Sequence, residues 1–477
     1  MIQLPILYER MKALEIFEKI DLHFGVFLSS HAPKYKPEVF LTGIFLSRYT
    51  REGHTCVPLT LINRGIRKLT EPASHRDLEE TALPSEITIE HLTESGIAYK
   101  ETGCTTTGCT TTGCTTTGCT TTGCTTTGCT PVVVCHGHLY LQKYWHYEKS
   151  IAGVIERMTE KMDRPVNPAI LRDSLKRLFP AGNGSEGPDW QKTASIAALY
   201  RRFFVLTGGP GTGKTTTVAK ILALLLEQNS NLSIAVAAPT GKAAGRIEES
   251  LKREKEKLDI SDALKERIPS TASTIHRLLK PVIYSPHFRH NRISPLTADV
   301  VVVDEASMVD LPLMAKLLDS LREGGRLILA GDKNQLASVE TGSVFGDVCA
   351  EGNIDTLSED FAEELQEYID CPITTRQKRS SEWLSDSVIE LKKNYRFGDE
   401  SLIGKLSREI VQGSLDGVIE LLSSCREPTG REPSGREPTG REPTGREPSG
   451  REPSGREPSG REPSGREPSG RDTSGRE

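Results

Sequence analysis

Short apolar runs punctuate the second half of the chain: Phe203 to Thr207, Ile234 to Ala237, Val300 to Val303 and Leu327 to Ala330. They do not alternate with polar residues, so each predicts a strand buried on both faces rather than one lying on a solvated sheet. A helix is expected over Gln191 to Tyr200, ahead of the first strand, and a long helix from near Lys214 behind it. Strands alternating with helices predict an α/β fold, a parallel sheet with helices on both faces. In such sheets ligands bind at the carboxyl ends of the strands.

The first hundred or so residues mix amphipathic stretches with Pro and charged residues and carry no recognisable chemical motif, which predicts a smaller, mostly helical domain. The opening MIQLPILYERMKALEIFEKI reads as a helix, because Glu9, Arg10 and Lys12 interrupt the apolar stretch that a signal peptide needs. Farther on, Val132 to Val134 and the alternation of Leu139 and Leu141 predict a short hairpin running into a helix. Nowhere do roughly 18 apolar residues follow one another, so no transmembrane span is expected.

Two pentapeptide repeats break the pattern. GCTTT recurs from Thr102 to Thr130, and REPSG or REPTG from Arg426 to the end. Neither offers the apolar side chains that offset the entropy of ordering, so the first is expected in a loop and the second as a disordered tail.

Charge and cysteine narrow the function classes. With 60 Lys+Arg against 65 Asp+Glu the formal charge is -5, so no global basic field draws in a polyanion and any such contact must be local. Of the 11 Cys, six fall in the GCTTT repeat and none forms a CxxC pair, which describes neither a zinc site nor a disulfide framework. Unpaired thiols suit a reducing compartment, and a cytoplasmic protein is expected.

The chemistry sits at strand ends. Gly208, Gly209, Pro210, Gly211, Thr212, Gly213, Lys214 and Thr215 fit GxxxxGK[ST] between a predicted strand and a predicted helix. Such a loop turns backbone N–H groups toward phosphate oxygens. Lys214 can reach the β and γ phosphates and Thr215 can ligate Mg2+, so a nucleoside triphosphate is the expected ligand. Asp304 and Glu305 follow the four valines at the end of the next strand but one; Asp304 suits Mg2+ and Glu305 suits activation of water. Alone, an Asp-Glu pair after valines is an ordinary strand end, and the phosphate loop upstream is what favours catalysis. Gln335, in GDKNQL after the following strand, is the expected contact to the γ phosphate or the attacking water. Gln191 can read an adenine edge with its amide or be a plain surface Gln. Thr240 and Lys242 in APTGKAA, with Thr274, His276 and Arg277 in STIHR, are polar and basic segments that can hold DNA phosphates or merely cap helices.

In order, DWQK, GGPGTGKTTT, APTGKAA, STIHRLL, VVVDEASMVD, LILAGDKNQLASVETGSVFGD and LKKNYRF resemble the motif series of superfamily 1 helicases, and within them most closely the RecD family, the alpha subunits of exodeoxyribonuclease V. The likeness covers Asp189 to about Gly413, and His138 to Glu148 adds the segment ahead of the motor. It implies a P-loop RecA-like fold and an ATP-driven 5′-to-3′ DNA helicase subunit using ATP and Mg2+ on single-stranded and duplex-end DNA. Double-strand break repair would be done with a RecB-like helicase-nuclease and a RecC-like scaffold subunit in a heterotrimer. No membrane partner is implied. Gly208 to Thr215 would bind ATP, Asp304 and Glu305 serve Mg2+ and water activation, and Gln335 sense the γ phosphate. Arg396 of NYRF would reach that phosphate from a second motor domain, while Thr240, Lys242 and His276 line the DNA path.

The implied organisation is a docking domain over 1–150 interrupted by the repeat at 102–130, connecting helices over 151–188 and a motor domain over 189–350. A partial second motor domain over 351–425 and the tail over 426–477 complete it. After NYRF the family continues through further motifs, including one resembling VHKSQG and an arginine-bearing segment, which this chain lacks. A shortened motor is therefore expected, and a transition-state arginine contributes about 10³ to 10⁵ in rate. An ATP-binding, non-hydrolysing regulatory or assembly subunit stays open as the alternative.

Overall fold

The computed structural model describes residues 4–70, 83–84, 86–101, 130–159, 166–180, 189–335, 340–351, 356–369, 375–376, 384, 386–396 and 401–424. Positions 102–129 of the GCTTT repeat, the REPSG tail and Leu336 lie outside the described residues. Residues 1–421 make one compact unit, and of the second, 422–477, only the end of a helix is described.

The chain opens with α1 (Leu4–Ala13), α2 (Lys19–His31) and α3 (Lys36–Arg51). Where the sequence suggested one opening helix there are two. The break carries Glu15 at φ 54, and Glu18 starts α2 through a capping box with Asp21. Asp21 is buried, accepting from Ser47 Oγ at 2.6 Å and Arg51 Nη2 at 2.9 Å, which ties α2 to α3. Then follow β1 (Cys56–Pro58), α4 (Leu59–Thr70), α5 (Ile89–Glu94), β2 (Ala98–Lys100), β3 (Val132–Cys135) and β4 (His138–Leu141). The expected hairpin is β3 and β4, antiparallel with Val134 opposite Leu139. It sits in a four-stranded sheet, order β1-β4-β3-β2, whose apolar face closes the core formed by Phe40, Ile44 and Ile62.

The hairpin runs into α6 (Gln142–Thr159), followed by α7 (Pro168–Leu178), α8 (Trp190–Tyr200), β5 (Phe203–Gly208), α9 (Lys214–Gln228), β6 (Ile234–Ala238) and α10 (Gly241–Lys257). Next come α11 (Asp262–Arg267), β7 (Ser273–Thr274), α12 (Ile275–Leu279), β8 (Val300–Val303), α13 (Leu311–Asp319), β9 (Arg326–Gly331) and α14 (Val344–Glu351). The described chain closes with β10 (Leu357–Ser358), α15 (Glu359–Leu365), β11 (Thr375–Arg376), β12 (Val388–Leu391), α16 (Leu402–Gln412) and α17 (Leu415–Ser424).

Six strands form one parallel sheet in the order β12-β5-β9-β8-β6-β7. Successive side chains point to opposite faces. Phe204, Leu206, Val302 and Ile328 therefore join a core with α7, α8, α9, α10 and α15, while Phe203, Val205, Val301 and Leu329 join a core with α6, α12, α13 and α14. This is the expected α/β architecture with helices on both faces.

Two domain boundaries need correction. Helix α6 crosses residue 150 and inserts Ile151, Ile155 and Met158 into the core under β5, so it belongs to a helical layer of the sheet and is not a connector. Strand β12 pairs with β5, Val388 opposite Val205, so this part of 351–425 completes the first sheet instead of starting a second motor domain. The apolar run VIEL fills the vacant edge. Buried Asp386 just ahead of it accepts from Ser358 N at 2.7 Å and from Arg201 Nη2 at 3.0 Å, locking the edge to α15 and α8. Helix α16 buries none of its residues. Among the described residues, no helix is long and apolar enough to cross a membrane.

Candidate nucleotide site

The loop from Gly208 to Gly213 leaves the carboxyl end of β5 and enters α9, the element order that aims a helix N-terminus at an anion. Its shape is braced from three sides. Within it, Thr212 Oγ1 donates to Gly209 O at 2.9 Å, and Lys214 Nζ donates to Gly208 O at 2.6 Å and Gly209 O at 3.1 Å. From α8, Gln191 Nε2 donates to Thr212 O at 3.2 Å, while Asp189 caps the helix by accepting from Gln191 N and Lys192 N. From the segment after β12, Asn394 Nδ2 donates to Pro210 O at 3.0 Å and Tyr395 N to Gly211 O at 2.9 Å. Only glycine fits position 211: it has φ +84, and a Cβ would lie 2.6 Å from Arg396 Cβ and 2.7 Å from Asn394 Oδ1.

Acidic groups converge on Lys214 from the neighbouring strand ends. Asp304 and Glu305 follow β8, and Asp332 follows β9. Burial lowers the Lys214 pKa, the charges of Asp332, Asp304 and Glu305 oppose that shift, and Arg396 adds to it. Asp304 is pushed up to about 6, chiefly by burial and further by Glu305, although the Glu305 backbone N–H and Lys214 favour its charged form. Glu305 adopts φ 52, a left-handed conformation that costs a non-glycine residue about 1–3 kcal/mol and collects at functional sites. Behind it, buried Ser307 donates to Gln335 Oε1 at 2.8 Å, fixing the amide that follows β9.

The structure therefore gathers Gln191, Gly208 to Thr215, Asp304, Glu305, Gln335 and Arg396 at one edge of one sheet. Arg396 arrives directly from β12 in that sheet, where the resemblance to RecD implies a second motor domain. Gln191 uses its amide nitrogen to brace the loop. Thr240, Lys242 and His276 lie farther along the same edge, beyond β6 and β7. Thr240 caps α10 by accepting from Ala243 N at 3.2 Å, and Thr274 caps α12. Lys242 and His276 are exposed, the latter with its ring 5.7 Å from Phe288.

Sequence reading missed Ser307, Asn394 and Tyr395. The last is 60% exposed and borders Gly213 together with Gln191. The apolar VIEL run just upstream was the available signal that NYRF would sit at this edge.

The chemistry of the site fits Mg2+ and a phosphate chain. Mg2+ takes few protein ligands beside phosphate and water, and here Thr215 at the start of α9 and a part-buried carboxylate pair after β8 lie at the sheet edge that carries the Lys214 loop. Among the described residues no group of three or more His, Cys, Asp or Glu could hold a metal by itself.

Comparison with known proteins agrees with the motif series. Residues 13–102 match the family model described as RecBCD enzyme subunit RecD, N-terminal domain, and residues 191–341 match the AAA domain model. The chain is 38% identical over 299 residues to RecBCD enzyme subunit RecD of Haemophilus influenzae, covering 61% of this chain and 46% of the relative. It is 41% identical over 300 residues to RecBCD enzyme subunit RecD of Mycobacterium tuberculosis, covering 61% and 44%. To the ATP-dependent RecD2 DNA helicase of Deinococcus radiodurans it is 33% identical over 220 residues, covering 43% and 25%. The family models thus match both an N-terminal and a later stretch of the chain, residues 13–102 and 191–341, and the chain spans less than half the length of each relative.

Proposed function

We propose that this chain, RecD-like in both regions, acts as the ATP-dependent DNA helicase subunit of a RecBCD-type complex. The observation that carries the reading is the convergence on Lys214 of the phosphate loop after β5, the carboxylates after β8 and the Gln335 segment after β9. Phosphoryl transfer needs little covalent chemistry from a protein, so positioning and charge stabilisation, which this edge supplies, are its main contribution.

In this reading the N–H groups of Gly208 to Gly213 hold the phosphates, with Lys214 neutralising the β and γ groups. Thr215 and Asp304 hold Mg2+, which when bound neutralises phosphate charge. Glu305 takes the proton of the attacking water, and Gln335, oriented by Ser307, contacts the γ phosphate. Arg396 supplies positive charge from the edge strand. The exposed Tyr395 ring beside Gln191 gives the base a stacking face. Thr240, Lys242 and His276 meet DNA farther along the edge, where hydrolysis can be converted into movement. The likeness to RecD supports reading it as a 5′-to-3′ motor on duplex ends with RecB-like and RecC-like partners, and the unpaired thiols support a cytoplasmic location. The motor extends over 189–391, with the N-terminal domain as the docking element.

The test is DNA-stimulated ATP hydrolysis by the purified chain, alone and with partner subunits, with Lys214→Ala as control. Hydrolysis that Lys214→Ala abolishes is expected. ATP binding without hydrolysis under every condition would favour a non-hydrolysing assembly subunit, and undiminished ATP binding by Lys214→Ala would overturn the nucleotide site itself.

A further inference from the structure

The peptide joining Thr341 to Gly342 is gripped from two sides. On one side is the N-terminal domain: Thr341 Oγ1 donates to Thr50 O at 3.1 Å, and Gly342 N to Gly53 O at 3.2 Å. On the other is the turn that leads from β8 into α13, where Leu311 N donates to Thr341 O at 3.4 Å. Gly342 has φ +92, and a Cβ there would lie 2.8 Å from Leu311 Cβ and 3.0 Å from Thr55 Cγ2, so the three segments meet without spare space.

The turn reached through Leu311 is the one that begins at Asp304. It carries Glu305 in its left-handed conformation and Ser307, the partner of Gln335. A strained residue persists only where its surroundings over-determine it. Asp304 N is held at the sheet end by Ala237 O at 3.0 Å, Met308 N closes on Glu305 O at 3.1 Å, and the far end is fixed by Asp310 capping α13 and by Leu311 on Thr341. A second seam runs alongside, with Lys316 Nζ of α13 5.6 Å from the Tyr147 ring of α6.

We infer that Thr341 and Gly342 are positioning residues through which the N-terminal domain fixes the Asp304–Leu311 turn, and so sets how well its carboxylates meet a metal-bound nucleotide. The inference rests on the nucleotide reading above. It makes the Thr50–Cys56 turn and the carboxylate turn two ends of one contact, so a load on either is felt at the other by the same factor.

The test uses the full chain and measures the Mg2+ concentration giving half-maximal ATP binding, with Mg2+-free ADP binding in parallel. Thr341→Val, which keeps shape and loses the hydroxyl, and Gly342→Ala are expected to raise the Mg2+ requirement roughly 5-fold or more, in the range usual for coupled sites, while ADP binding is unchanged. Thr341→Ser should restore it. In the unaltered chain, adding Mg2+ with a non-hydrolysable ATP analogue should slow amide exchange at Gly53 to Cys56, a readout that stands even where a variant fails to fold. An unchanged Mg2+ requirement in folded Thr341→Val, or exchange at Gly53 to Cys56 that ignores the nucleotide, would overturn the inference. Normal ATP binding by Lys214→Ala would instead show that the nucleotide reading had failed, and the inference with it.

Discussion

At the scale of single residues, Asp304 has the most informative environment. An Asp in an unfolded chain titrates near 3.9, whereas burial and Glu305 hold Asp304 at about 6 in the fold. The folded state therefore binds the proton more tightly than the unfolded state. The stability associated with the neutral acid is fully present below about pH 4 and is lost as the pH rises through about 6. In metal-free and nucleotide-free solution, Asp304→Asn should match the parent chain near pH 4 and exceed it by about 2 kcal/mol at pH 7. Denaturant unfolding at the two pH values measures this, and a pH-independent difference between the two proteins would contradict the assigned environment. The candidate site thus holds a carboxylate that is costly without its counter-charge, as expected of a group kept for function.

At the scale of elements, stability and exposure divide sharply. Leu329 in β9 is 0% exposed between β5 and β8, and Leu329→Ala should cost about 2–5 kcal/mol through lost burial and the cavity left behind. Ile410 in α16 is 61% exposed, and Ile410→Ser should change stability by no more than about 0.5 kcal/mol. Thermal or denaturant unfolding of the two variants side by side would separate core from surface. Equal costs would mean that α16 is covered in solution. The sheet elements were legible in the sequence because strands buried on both faces read as continuous apolar runs. Strand β12 gives a weaker signal because Glu390 interrupts its apolar run, and Glu390 is tolerated there because Lys333 Nζ pairs with it at 3.0 Å. The four-stranded N-terminal sheet was legible only as its hairpin. The parallel partner of β3, Ala98–Lys100, lies on the far side of the GCTTT repeat, and pairing over that separation leaves no local signal.

At the scale of the whole molecule, the candidate nucleotide site is assembled from five separate stretches of chain, held by hydrogen bonds from α8 and from the segment after β12 as well as by the loop itself. Ligand binding to such a site stabilises the entire folded unit by mass action. ATP with Mg2+ at about 100 times its Kd should raise the unfolding free energy by about 2.7 kcal/mol. Lys214→Ala should remove that gain. A shift in thermal midpoint that survives in Lys214→Ala would place the ligand elsewhere in the protein. The same reasoning joins the N-terminal domain to the six-stranded sheet: α6 contributes side chains to the core beneath β5, so unfolding of the two regions is expected to be a shared event.

The sequence by itself determined the four central strands of the parallel sheet with the helices flanking the first of them, the phosphate loop with its Lys214 and Thr215, the Asp304–Glu305 pair and the likeness to RecD, because each is written in consecutive residues. Periodicity, glycine at a tight turn and charge after an apolar run are local properties that survive without knowledge of the fold. Only the tertiary structure decided that Arg396 and Tyr395 reach the loop from an edge strand of the same sheet, and that Gln191 braces the loop through Thr212. It also decided that Ser307 orients Gln335 and that Thr50 and Gly53 grip Thr341 and Gly342. Those contacts join residues far apart in the chain, and their formation depends on strand order and on the packing of helices against both faces. No window of sequence contains that information, since it arises only when the whole sheet has closed around its two cores.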